Sequence, residues 1–417
     1  MLRATPHQRA WWSRPGLEVR GGRLTIAGRD AEAVARGSGT PVYVHDLVRV
    51  EEQARALQRA LRDAGLNGLV RLALKAQREP AVLAFVRALG APGSPDAVGL
   101  DVCSPGEVGW AIDHGWTPAE ISYTGTNLSA SDLGAILEAG VHLNVDLITQ
   151  IHRVGARAPG STIGIRVNPR VGASRGGGTQ TLYAGERPTK FGIGSDRLEE
   201  ALDAARGHGL TIDTVHVHVG DGFLNDGLSV FEQSVMRVAE MTRFLLSEGC
   251  PIGEVNTGGG LGVPQRAGDR ELDLAAWAAI LGRQLGPLDV VAATEPGDFL
   301  VKEAAVLLAE VVTLEERDGV LFAGLDTGWN AMSEHFVYGA ILDLVLSRAA
   351  DAEPDREVTV AGNINEGDDL FAEDLPLPVL REGDILAAIN VGSYNASMTS
   401  QHCLRGPAGT VFFEDRI

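Results

Sequence analysis

The sequence predicts an α/β fold of (β/α)8 TIM barrel type with a second, discontinuous β domain, and three observations predict it. Between about residues 47 and 305, short apolar runs that end in polar or glycine residues alternate with amphipathic stretches. About eight such runs can be counted, and eight parallel strands with covering helices close most naturally into a barrel. The flanks, residues 17–45 and about 306–417, carry β-rich runs with turn residues between them and lack regular helices. Two β segments bracketing a barrel predict one β domain, of sandwich or small-barrel type, built from both ends. The expected boundaries are 46–305 for the barrel, and 1–45 with 306–417 for the β domain. An open doubly wound sheet is the alternative for the central segment.

The runs follow one another as RLALK (71–75), GLDVC (99–103), EISYT (120–124), VHLNVD (141–146), TIGIRVN (162–168), TVHVHVG (214–220), GEVNTGGG (253–260) and VVAATEPG (290–297). Helical stretches such as 51–65 and 198–209 lie before or between them. In the first, Ala54, Leu57, Ala60 and Leu61 recur at helical spacing, which buries one face and wets the charged one. Residues 171–190 form a long glycine-rich loop, a length typical of lids and specificity elements.

Composition narrows the function classes. The 417 residues hold 36 Lys+Arg against 55 Asp+Glu, a net charge of −19, which repels nucleic acid and anionic lipid. Hydrophobic residues at 44% and charged residues at 22% fit a globular protein with a sizeable core. No apolar run approaches the roughly 18 residues that span a bilayer, and the first 16 residues have no apolar leader core. A cytoplasmic location is therefore expected. Cys103, Cys250 and Cys403 are too few and too scattered for a disulfide framework or a thiolate metal site, and no metal is expected.

A barrel carries its site at the C-terminal strand ends, often with a phosphate held after strands seven and eight. Those loops read Gly258-Gly259-Gly260 and Glu295-Pro296-Gly297. Consecutive glycines let backbone N–H groups approach an anion, although a triplet alone also reads as a tight turn. Lys75 ends the first run among small apolar neighbours, where desolvation is expected to lower its pKa and where it could meet an aldehyde cofactor. Taken alone, such a lysine is a surface charge. His216 and His218 share one face of the sixth run, because strand side chains alternate.

These residues belong to an ordered series: ALKAQ (73–77), DVCSPGE (101–107), RVNP (166–169), KFGI (190–193), HVHVGDG (216–222), NTGGGLG (256–262), EPGD (295–298), GNINEGDDLFAED (362–374) and VGSYNASMTS (391–400). The series, which covers nearly the whole chain, resembles the pyridoxal phosphate enzymes of the alanine racemase-like fold (fold type III), in the diaminopimelate/ornithine/arginine decarboxylase group. The resemblance implies pyridoxal 5'-phosphate as cofactor, with Lys75 as its Schiff-base lysine and His218 stacked on the ring. It implies that Glu295 pairs with the pyridinium nitrogen, and that Gly259, Gly260, Gly297 and Tyr394 hold the phosphate. It also implies a head-to-tail homodimer with shared sites, Asn365 to Asp369 entering from the partner.

Four departures from the family pattern carry information. Asn365 stands where the family usually has a proton-donating cysteine, and an amide cannot replace that acid, so Lys75, His218, a water or another group must. Asp298 and Glu334 stand where diaminopimelate-specific members usually carry arginines that clamp the distal carboxylate, while Tyr338 and Glu366 remain. Two anions in place of two cations predict a distal ammonium or guanidinium, with Glu334, Glu366, Asp298 and Asp368 or Asp369 as its partners. Asp221 occupies a position near the phosphate where a small hydroxyl residue is common, and the sequence offers no account of it. The expected reaction is decarboxylation of a lysine- or ornithine-type amino acid, the D-enantiomer included. Diaminopimelate or a larger conjugate from specialised metabolism is the alternative, and a racemase using Tyr338 or Tyr394 or a non-catalytic binding protein is a more distant one.

Overall fold

A computed structural model of the chain describes residues 10–417. Residues 1–9, part of the stretch in which no apolar leader core is expected, lie outside the described residues. The chain divides into two compact units, one of residues up to Glu52 with Pro264–Arg270 and Leu300–Ile417, the other of Gln53–Val263 and Glu271–Phe299. The excursion Pro264–Arg270, expected within the barrel, belongs to the first unit.

In the second unit eight parallel strands close on themselves. They are Gly68–Ala73, Val98–Val102, Ile121–Thr124, His142–Val145, Thr162–Asn168, Thr211–His216, Glu254–Asn256 and Val291–Thr294. Each pairs with the next, and Val291–Thr294 pairs back onto Gly68–Ala73, so the sheet has no open edge and the doubly wound alternative is set aside. Helices cross between the strands, and their starts are written in the sequence. Ser104 accepts from the Glu107 N–H, Ser129 and Asp132 form a reciprocal capping box, and Asp273 accepts from the Ala276 N–H. Two strands stop earlier than the apolar runs suggest, so Lys75 and His218 each lie two residues past a strand end, in the loops over the barrel mouth.

The first unit is a curled sheet organised by one long strand, Ala305–Arg317. That strand pairs antiparallel with Val42–Asp46, Ile385–Ala388 and Val320–Leu325 along successive parts of its length. Val42–Asp46 also pairs in parallel with Gly409–Phe413, so segments from both flanks share one sheet. Both faces are covered: Leu307, Ala309 and Val311 enter one buried cluster, while Val306 and Leu308 enter the other. The alternation follows from the two-residue period of a strand. Among the described residues the flanks do contain two short helices, Ala31–Ser38 and Ser333–Tyr338, that the β-rich reading omits.

Among the described residues no helix is long and apolar enough to cross a membrane, and no group of three or more His, Cys, Asp or Glu side chains could hold a metal. Leu307 is fully buried near the start of the long strand, so Leu307→Ala is expected to destabilise the protein by about 2–5 kcal/mol, read from the denaturant midpoint.

Candidate active site

The barrel mouth is built around a buried carboxylate. Glu295 follows the eighth strand directly, and only 6% of it is exposed. Its Oε1 accepts from Asn256 Nδ2 at 2.5 Å, and its Oε2 lies 3.0 Å from His216 Nε2. Burial pushes this carboxyl up, but His216, Arg71 and the Asn256 hydrogen bond outweigh burial and bring it down to about 2. Burial lowers His216, so the pair is best described as a neutral imidazole donating from Nε2 to an ionised carboxylate. Arg71 is itself fixed by a two-pronged contact with Glu254, at 2.7 and 2.9 Å.

Asn256 links this carboxylate to the glycine loop, since its Oδ1 accepts from the Gly258 N–H at 3.0 Å. The carbonyl of Gly258 accepts from the Glu295 N–H and from Thr294 Oγ1, both at 2.8 Å. The backbones of strands six, seven and eight are pressed together here. A Cβ on Gly258 would stand 2.4 Å from the Val217 carbonyl, one on Gly259 2.4 Å from the Glu295 carbonyl, and one on Gly260 2.5 Å from the Gly220 carbonyl. Gly258 and Gly260 also have φ of +69° and +90°. The triplet is therefore required by close approach. Gly297 is buried just before the short helix Asp298–Val301.

Lys75 is open to solvent along the mouth yet ringed by protein groups. Burial opposes its charge, but Asp101, with help from Glu295, more than offsets burial and holds the amine above its ordinary value. This corrects the expectation of a lowered pKa: the strand-end neighbours in sequence are apolar, whereas the neighbour in space is a carboxylate. Asp101, next to last in the second strand, is 5% exposed, and burial and the charge of Glu295 raise it well above the ordinary carboxyl range. Arg166, on the fifth strand, lies 4.3 Å over the Phe191 ring. His218 accepts from the Gly259 N–H through Nδ1, and burial with the nearby Lys75 charge keeps its imidazole neutral.

The loop 171–190 is tethered over this mouth. Ala173–Ser174 pairs in parallel with Gly220–Asp221, Thr181 Oγ1 bonds to the Val219 carbonyl, and Tyr183 sets its ring edge-on to His218 at 4.5 Å. Asp221 is raised first by burial and then by the neighbouring charge of Asp298. The structure thus brings Lys75, His218, Glu295, the glycines, Asp298 and Asp221 into one unit. It adds Asp101, Arg166, Asn256 and Tyr183, which sequence reasoning did not assign. Asp101 and Asn256 lie inside quoted motifs, so their signal was present. Tyr183 sits in irregular backbone and gave none.

The remaining candidates lie in the first unit. Glu334 is buried and forms an ion pair with the buried Lys302, and it exchanges two 3.2 Å hydrogen bonds with Asn395. Its charge is therefore already matched, which removes the basis for assigning it to a substrate ammonium. Asp369 is likewise engaged, its oxygens accepting from the Trp329 and Ile364 N–H groups at 2.8 and 2.7 Å. Asn365, Glu366 and Asp368 are exposed, and Glu366 Oε1 lies 2.9 Å from His402 Nε2. Tyr338, 62% exposed, meets Tyr394 edge-on at 6.0 Å, and Tyr394 itself has φ of +52°.

The donor set fits pyridoxal phosphate. An amine in an open mouth suits an aldehyde, an ionised buried carboxylate suits a cationic ring nitrogen, and the glycine cradle suits a phosphate. Comparison with known proteins agrees. Residues 47–302 match the family described as pyridoxal-dependent decarboxylase, pyridoxal binding domain. The diaminopimelate decarboxylase of Methanothermobacter thermautotrophicus is 34% identical over 414 residues, covering 97% of this chain and 94% of that one. The Pseudomonas aeruginosa enzyme of the same name is 32% identical, covering 94% of each chain. The crystal structure of diaminopimelate decarboxylase from Helicobacter pylori complexed with L-lysine superposes with a TM-score of 0.82 at 25% identity, covering 92% of this chain and 94% of that one.

Two outcomes are expected. Lys302→Ala strands the Glu334 carboxylate and costs about 3–5 kcal/mol by urea unfolding, whereas the double change Lys302→Met with Glu334→Met recovers most of the loss. The carboxylate of Glu295 contributes stability that is complete above its ordinary 4.5 and is lost as pH falls toward about 2. The stability gap between the parent protein and Glu295→Gln should accordingly narrow over that interval in acid unfolding.

Proposed function

The chain belongs to the pyridoxal-dependent decarboxylases, and from that membership we propose that its substrate is diaminopimelate, with lysine as the product. That it is a pyridoxal phosphate-dependent amino acid decarboxylase follows from the family itself. The choice of substrate rests on full-length similarity to diaminopimelate decarboxylases. One structural observation supports it: Lys302 neutralises Glu334, so the expected attraction for a distal ammonium loses one of its two anions. A neighbour of the same fold was crystallised with L-lysine, which is diaminopimelate less one carboxylate.

The cofactor, when bound, supplies the electron sink that makes loss of the carboxylate possible. Lys75 would hold it through its aldehyde. Glu295, ionised and fixed by Asn256 and His216, would be the counter-charge to a cationic ring nitrogen. His218, neutral and held by the Gly259 N–H, would offer a flat face for the cofactor ring to pack on. The glycine loop, without side-chain bulk, would let the phosphate approach its backbone. The reading carries with it the head-to-tail homodimer that the resemblance implies.

Asp298 and Asp221 favour a second reading, in which a substrate with a distal cation is taken. CO2 release from meso-diaminopimelate and from D- and L-lysine, ornithine and arginine separates the two. Release from diaminopimelate with accumulation of lysine is the expected result. Release from a cationic amino acid, with diaminopimelate inert, would overturn it. On the active substrate Glu295→Gln should lower kcat by on the order of 100-fold or more, because the ring nitrogen loses its counter-charge.

A further inference from the structure

Loss of a carboxylate leaves an electron pair that must be closed by a proton at Cα, and the position where the resemblance expects a cysteine for this is Asn365. An amide is no acid of that kind. Most groups around Lys75 are committed elsewhere. His216 donates to Glu295, and His218 is held neutral with its Nδ1 occupied by the Gly259 N–H. The Cys103 thiol is pushed to about 12, first by burial, and burial pushes the Tyr123 phenol up as well, which makes both weaker acids.

Tyr183 differs from these. Its ring is clamped by His218 at 4.5 Å edge-on and by Phe191 at 5.7 Å in a stack. Its backbone is held by Thr181 Oγ1, which accepts from the Tyr183 N–H at 3.1 Å, and by Thr189 Oγ1, which donates to the Tyr183 carbonyl at 3.2 Å. The hydroxyl carries no hydrogen bond to any described residue, lies within electrostatic reach of both Lys75 and Arg166, and is half-buried, so solvent can restore its proton. We propose that Tyr183, delivered by the loop 171–190 and aimed by His218, is the proton donor to Cα. The inference rests on the decarboxylase reading and deepens it. In the step, the Cα–carboxylate bond breaks and CO2 leaves. The Tyr183 O–H bond then breaks, its proton forms the new Cα–H bond, and the phenolate takes a proton from water.

Tyr183→Phe keeps the ring contact and removes only the hydroxyl. With the cofactor-loaded protein and diaminopimelate, the yield of amine per CO2 should fall at least about 10-fold in the variant. The missing product should appear as an aldehyde with pyridoxamine phosphate, because a proton that goes to the cofactor carbon instead is followed by hydrolysis. The cofactor Kd should stay within about two-fold of the parent value, since the clamp on His218 is intact. Amine per CO2 equal to the parent's overturns the assignment, and so does a collapse of that ratio in Cys103→Ala but not in Tyr183→Phe. A substrate-free measurement separates this from the functional reading: the pH midpoint of the bound cofactor's visible absorption should move in Tyr183→Phe. If the parent releases no CO2 from any amino acid in the panel, the functional reading fails, and an unmoved midpoint still overturns the placement of the hydroxyl beside Lys75.

Discussion

A carboxylate kept ionised in a nearly dry place is the constraint on which the barrel mouth depends. Unpaired, Glu295 would take up a proton and lose its use as a counter-charge. His216 and Asn256 prevent that, and each is drawn into further obligations. Asn256 must turn its other amide atom to Gly258, which fixes the glycine loop, and the loop's next N–H fixes His218. Arg71, held by Glu254, adds a positive field from behind. Four strand ends are thereby locked into one arrangement by the need to keep a single negative charge.

The same network explains why the triplet admits no side chain. Carbonyls of Val217, Glu295 and Gly220 approach to where a Cβ would be, so the chain gains its hydrogen bonds only by giving up bulk at three consecutive positions. Tight backbone packing and the lack of side-chain bulk are two results of one geometry, and the second would let a phosphate approach the backbone.

Much of this was legible in the sequence. The barrel followed from repeated apolar runs, and Lys75, His218, Glu295 and the glycines followed from ordered motifs at strand ends, because such motifs report local backbone needs. What was misread depends on partners far along the chain. Glu334 looked like a free anion because its counter-ion, Lys302, is 32 residues away and gives no local cue. Asp369 looked available, although both its oxygens serve backbone N–H groups. The sign at Lys75 was misjudged for the same reason, since Asp101 comes from the adjacent strand. Tyr183 was invisible because loop backbone has no period from which direction can be read.

The pairing of Val42–Asp46 with Gly409–Phe413 bears on how the chain is made. During synthesis the early strand leaves the ribosome long before its parallel neighbour exists, and it must wait with that edge unsatisfied. The first barrel strand, Gly68–Ala73, also waits for its closing neighbour, but Val291–Thr294 is made well before Gly409–Phe413. Translation therefore leaves the curled sheet as the last part to close, and pauses or mutations that lengthen the wait expose an aggregation-prone edge while the barrel is already complete.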